Sequence, residues 1–226
     1  MNNGNGHQAP KGDAGDYASL GPEMKDIILA LPFVAKAPGM DRLEGIIRLL
    51  LLELGLDTNN QHFRHTPARV ARYYREFTRG YQARAADILK TFRSKSTDLI
   101  VVSSIDFFSL CPHHLLVYGG KIHFAYVPNG QIVGVSKIPR LVHALAARPV
   151  VQEDLVADIA DAFMSFVKPL GCAVKATGKH DCVAVRGVKC PSMAMTTLAL
   201  RGIFQEKESL CREFDQAIAE GAKCVR

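Results

Sequence analysis

Lys121-Ile122-His123-Phe124-Ala125-Tyr126-Val127 alternates large apolar side chains with polar or small ones, then runs into Pro128-Asn129-Gly130, after which Gln131 to Val135 is strand-like again. A period of two puts Ile122, Phe124 and Tyr126 on one face, and Pro-Asn-Gly is turn chemistry, so the stretch reads as an antiparallel hairpin. Asp98 to Ile105 upstream is β-branched, and strand-like segments recur at 171–177, 182–188 and 196–203. Two helices interrupt them. One opens at Ser136; the other runs from Gln152 to about Val167, with Leu155, Ile159, Ala162, Phe163 and Phe166 on one stripe. Hairpins with inserted helices make an α+β chain with an antiparallel sheet.

The N-terminal part is helical. Asp41 caps a helix to about Leu54, with Leu43, Ile46, Ile47, Leu50 and Leu54 inward and Gly55 as its stop. Thr66-Pro67 supplies an N-cap and an N1 proline for a helix carrying Val70, Tyr73, Tyr74 and Phe77 inward, ended by Gly80. A last helix near 208–219 uses Leu210, Phe214 and Ile218. Residues 1–22, with Gly4, Gly6, Pro10, Gly12 and Gly15, read as a flexible tail. Residues 23–226 read as one domain, helical to about 95 and sheet-based from about 96, with no internal repeat.

The chain has 226 residues, of which 48% are hydrophobic and 22% charged, the composition of an ordinary globular protein. Its 28 Lys and Arg against 22 Asp and Glu give +6, a mild excess that a site for an anionic small molecule explains. There is no basic stripe interleaved with aromatics, so no nucleic-acid role is expected. The run read as nearest to a membrane span, Ile46 to Leu52, is short and broken by Arg48, so no span is expected. The first residues lack the apolar core of a secretory signal, which points to the cytosol and to reduced thiols. The six cysteines are then candidates for metal ligands or core residues rather than disulfides.

Cys111-Pro112-His113-His114 places a thiol and an imidazole three apart, and Lys179-His180-Asp181-Cys182 offers a second half-site. Zinc on Cys111, His114 and Cys182 would keep an open fourth position for an activated water, with His113 and His180 free for acid–base work. The same two clusters equally suit a closed four-ligand structural site. Ser136, Lys137, Arg140 and Arg186 read either as an anion site at a helix start or as a solvated basic face. Gln152-Glu153 opens a helix, as dipole partners or as a pair reading the N1 and N2 edge of guanine. Cys172, Cys190, Cys211 and Cys224 read as core or surface thiols, and His62, His65 and His143 as surface or capping residues.

Taken together, Ser109-Leu110-Cys111-x-His113-His114-Leu115-Leu116, Gly120-Lys121-Ile122-His123-x-Ala125-Tyr126-Val127-Pro128-Asn129-Gly130, Gly134-Val135-Ser136-Lys137-Ile138-x-Arg140, Arg148-Pro149-x-Val151-Gln152-Glu153 and His180-x-Cys182-x-x-x-Arg186-Gly187-Val188 resemble the GTP cyclohydrolase I family in order and spacing. The resemblance covers roughly 41 to 218. It implies the tunnelling fold, an antiparallel sheet with helices packed on one face that closes into rings, here two stacked pentamers with active sites where subunits meet. It implies zinc as cofactor and GTP as substrate, opened at C8 with release of formate and rearrangement to 7,8-dihydroneopterin triphosphate, for folate or biopterin synthesis. By the same resemblance Cys111, His114 and Cys182 are zinc ligands, and His113 and His180 are acid–base groups, with His180 a proton donor to purine N7. Ser136, Lys137, Arg140 and Arg186 contact the triphosphate, and Gln152 and Glu153 read guanine.

The sequence departs from the family at three points. Pro112 stands where a Glu is usual, Asp181 where an uncharged residue is usual, and Lys189-Cys190-Pro191 drifts. These changes surround the metal residues. They leave two other readings in play: a divergent enzyme of the same fold with another product or purine, and a zinc-stabilised ring that binds nucleotide without turnover.

Overall fold

A computed structural model describes residues 41–224, with side chains through 221. The expected tail at 1–22 and the Cys224 side chain lie outside the described residues. The chain divides into two compact units, the first ending at Glu76.

In the first unit, helix α1 spans Arg42–Glu53, and the Asp41 carboxylate accepts the Leu43 N–H at 2.9 Å, the expected cap. Arg75 pairs with Asp41 and holds its carboxyl below the usual range. The helix ends at Leu54, and Gly55 takes the left-handed φ of 75° that favours glycine. Its buried positions are Gly45, Ile47 and Leu51. The parallel row Ile46, Leu50 and Leu54 is exposed, against expectation. Both rows have four-residue spacing, so spacing alone does not choose between them. Helix α2 spans Thr66–Glu76. The Thr66 hydroxyl does not cap an N–H; it donates to the His62 carbonyl at 3.3 Å.

In the second unit, Gly80 is no helix stop. It lies in the tight turn Arg79–Gln82, its N–H donates to the Ala147 carbonyl at 2.8 Å, and a Cβ there would sit 2.2 Å from the Ala144 oxygen. A one-turn helix α3 (Ala85–Ile88) and a short strand β1 (Thr91–Arg93) follow. The main sheet is made of β2 (Ile100–Leu110), β3 (Val117–Val127), β5 (Gly171–His180) and β6 (Met195–Gly202), in the order β2-β3-β5-β6 and antiparallel throughout. Helices α4 (Lys137–Ala146) and α5 (Gln152–Val167) are inserted between β4 (Gln131–Val133) and β5, as the sequence predicts. A one-turn α6 (Asp181–Ala184) and a long α7 (Glu208–Cys224) complete the unit.

Two strand expectations are corrected. Gly130 turns the chain at φ 75°, but β4 pairs with β1, not with β3. Both hydrogen-bonding edges of β3 are already taken by β2 and β5, so no hairpin can form there. The run 182–188 is not a strand either: β5 already has β3 and β6 on its two sides, and directly after it the chain coils into α6.

Ile105, Phe107, Ile122, Phe124, Tyr126, Val174 and Ala176 form the sheet face that packs on Ile138, Leu141, Leu155, Ile159 and Phe163 of α4 and α5. The Phe163 ring lies 4.6 Å from Phe124 and 5.0 Å from Tyr126, both edge-to-face. The inserted helices take one face, as expected. The last helix covers the end of the other, where Phe214 and Phe204 pack on Ala125, Val127 and Ala173. On that second face β2 bulges between Val102 and Ile105, with Ser104 at φ 60° donating its N–H to His123 Nδ1 at 3.2 Å. Among the described residues, no helix is long and apolar enough to cross a membrane.

Candidate active site

The strands bring two distant parts of the chain to one end of the sheet. Leu110 pairs with Val117, so β2 and β3 are joined by the loop 111–116, and Tyr118 pairs with His180, the last residue of β5. The loop is closed by the Cys111 N–H on the Leu116 carbonyl and the Leu115 N–H on the Cys111 carbonyl, both 2.8 Å, with Leu115 at φ 53°. The loop's backbone bonds are donated by residues 111, 114 and 115, so Pro112 fits without costing a bond. This puts Cys111 Sγ 3.6 Å from His114 Nδ1 and 3.8 Å from His113 Nδ1. Cys182 follows β5 directly, on α6.

The ligand atoms of Cys111, His114 and Cys182 all lie within 4.8 Å of one another. Two sulfurs and an imidazole nitrogen this close are a donor set for a borderline-soft divalent cation. Burial and the neighbouring Cys111 push the Cys182 thiol up, and a bound cation is what would favour its ionised form.

A cavity of about 180 Å³ opens beside these three residues, and His113, Glu153 and His180 also line it. Burial holds the His180 imidazole below its ordinary range, opposed by the Glu153 charge. Its ring stacks on Tyr118, centroids 4.6 Å apart and planes 6° apart, and its Nε2 is 3.1 Å from Gln152 Oε1. The Tyr118 hydroxyl donates to the Val150 carbonyl at 2.8 Å, and burial pushes it up to about 12.

The expected Gln152–Glu153 pair is split by burial. Gln152 is 0% exposed, with its amide nitrogen 3.0 Å from both the Met195 carbonyl and Thr197 Oγ1. Its polar end faces the strands and His180, while Glu153 is exposed at the cavity. Ser136, Lys137, Arg140 and Arg186 do not line this cavity. Arg140 borders a separate cavity of about 370 Å³ with Arg79 and His143. Cys111, His113, His114, Gln152, Glu153, His180 and Cys182 are thus brought together in one protomer, and the basic residues are not.

Tyr118 is the site residue that the sequence reading misses. Gly119 and Gly120, next to it, are interior strand positions forced by close approach. A Cβ on Gly120 would lie 2.0 Å from the Thr177 oxygen, and one on Gly119 would lie 2.5 Å from the Phe107 oxygen. The available signal is parity, since position 118 falls on the same face as 122, 124 and 126.

A family model described as GTP cyclohydrolase I matches residues 43–219. A protein named GTP cyclohydrolase 1 from Clostridium perfringens is 40% identical over 171 residues, which are 75% of this chain and 92% of that protein. One of the same name from Desulforamulus reducens is 39% identical over 172 residues, 75% of this chain and 92% of its own. A third, from Campylobacter jejuni, is 40% identical over 187 residues, 82% of this chain and 98% of its own. Among solved structures, the apo form of the archaeosine synthase QueF-Like overlaps 48% of this chain and 97% of its own at a TM-score of 0.39 and 20% identity, too slight to carry an argument.

Proposed function

This chain is an enzyme of the GTP cyclohydrolase I family, and we propose that it opens the GTP imidazole ring at C8, releases formate and yields 7,8-dihydroneopterin triphosphate with the help of zinc. The observation that carries this reading is the convergence of Cys111, His114 and Cys182 on one point of a cavity that also holds His180 and Glu153. In this reading the three residues hold the ion. Bound zinc supplies Lewis acidity and a water acidic enough to react near neutral pH.

The chain's own groups do the rest. The Glu153 carboxylate accepts the N1 and N2 hydrogens of guanine and sets the base's orientation. His180 gives a proton to N7, which makes C8 electrophilic, and His113 exchanges protons with the attacking water. Ser136, Lys137, Arg140 and Arg186 bind the triphosphate. Because they stand apart from the cavity, we assign at least part of that contact to a neighbouring copy in a ring, of which a decamer is the expected form. A cytosolic setting suits the thiol ligands.

The experiment is mass spectrometry of GTP incubated with the zinc-loaded protein, with formate measured alongside. Dihydroneopterin triphosphate and one formate per GTP are expected. Pro112 and Asp181 beside the metal residues favour one second reading, a divergent enzyme that stops at a ring-opened formamidopyrimidine. A product that retains the formyl carbon would select it.

A further inference from the structure

We propose that Tyr118 and Gln152 are positioning residues that fix both the plane and the tautomer of His180. The proposal rests on the reading of His180 as the group that protonates the purine. Gln152 is wholly buried, and its nitrogen faces the Met195 carbonyl at 3.0 Å and the Ala176 carbonyl at 3.4 Å. Carbonyl oxygens only accept, so the amide cannot be turned end for end, and its oxygen must be the atom that meets His180 Nε2 at 3.1 Å. An amide oxygen also only accepts. His180 Nε2 therefore carries its hydrogen even in the neutral ring, which leaves Nδ1 as the bare nitrogen of that tautomer.

The ring's plane is held from another side. Tyr118, 1% exposed, stacks on it at 4.6 Å, and its hydroxyl is tied to the Val150 carbonyl, two residues before Gln152. The contacts close a circuit through His180, Tyr118, Val150 and Gln152, so a rotated imidazole would forfeit the stack and the hydrogen bond together. Strand β5 makes room for the amide: a Cβ on Gly178 would lie 2.5 Å from Gln152 Oε1.

The test uses the full-length, zinc-loaded protein. Magic-angle-spinning 15N NMR of histidine-labelled protein, with the signal assigned by its loss in His180→Gln, is expected to show Nε2 protonated and Nδ1 bare. An Nδ1–H tautomer overturns the proposal whatever the activity. In kinetics, Tyr118→Leu is expected to lower kcat for GTP by about 10- to 100-fold with KM little changed, and Tyr118→Phe, which keeps the ring, to restore most of it. Gly178→Ala, which displaces the amide oxygen, is expected to lower kcat likewise at unchanged zinc content. Wild-type kcat in both Tyr118→Leu and Gly178→Ala also overturns it. If Tyr118→Leu does not fold, the NMR result and Gly178→Ala decide between them. Absence of any GTP turnover by the wild type sinks the functional reading and leaves the tautomer measurement standing, which separates the two failures.

Discussion

Glu153 sits in the first turn of α5 with an exposed carboxylate at the cavity. Both its oxygens accept, which suits the paired N–H donors of guanine and not the single N–H of hypoxanthine. Glu153→Gln turns one acceptor into a donor, so kcat/KM for GTP is expected to fall about 10- to 100-fold, and the preference for GTP over inosine triphosphate to shrink with it. An unchanged preference in competition assays would take base reading away from Glu153. Cys182→Ser is expected to lose both zinc, measured per chain by elemental analysis, and activity; full retention of the two would remove Cys182 from the ligand set. At this scale the sequence is legible where ligands are neighbours. Cys111 and His114 announce themselves by spacing, and Cys182 joins them once two clusters are weighed together. The setting of Gln152 is not legible, because its partners Met195 and Thr197 belong to β6, far along the chain.

Elements were legible where periodicity decides and illegible where edge pairing decides. The α5 stripe reads directly, and its centre is Phe163, edge-on to Phe124 and Tyr126. Phe163→Ala is expected to cost about 3–5 kcal/mol in denaturant unfolding, with little effect on zinc binding if the protein is assayed folded. The partner of β4 was not legible, because the turn chemistry at 128–130 is local while the two edges of β3 are claimed by strands far away. The bulge in β2 carries a pH dependence. His123 accepts the Ser104 N–H on Nδ1, and burial, Lys175 and Lys121 hold it below its ordinary value against the opposing Asp215. A depressed histidine means that the unfolded chain takes the proton first. Its contribution to stability is therefore present above about pH 6.5 and is lost as pH falls through that value toward the lower folded one. Urea midpoints should fall more steeply from about pH 7.5 to about pH 5 in the wild type than in His123→Gln. Parallel curves would show that His123 has no part in it.

At the scale of the whole molecule, the residues proposed to bind triphosphate stand apart from those proposed to read the base and hold the metal. With the basic residues on a neighbouring copy, Lys137→Ala and Glu153→Gln are each expected to be strongly impaired alone. Mixed rings of the two are expected to recover about a quarter of the sites, because some interfaces unite both intact halves. No recovery in co-expressed, co-purified rings would place both halves in one chain. The ring itself was read from family resemblance, since closure depends on interface shape that no local pattern encodes. Beneath all of these expectations lies one ion with a place left for water. Zinc K-edge X-ray absorption of the full-length, zinc-loaded protein reads it directly. Two sulfurs at about 2.3 Å, one imidazole and one further light oxygen are expected, with one sulfur lost in Cys182→Ser. A second imidazole or a third sulfur in the fourth position, or an unchanged sulfur count in that variant, would contradict an open catalytic centre.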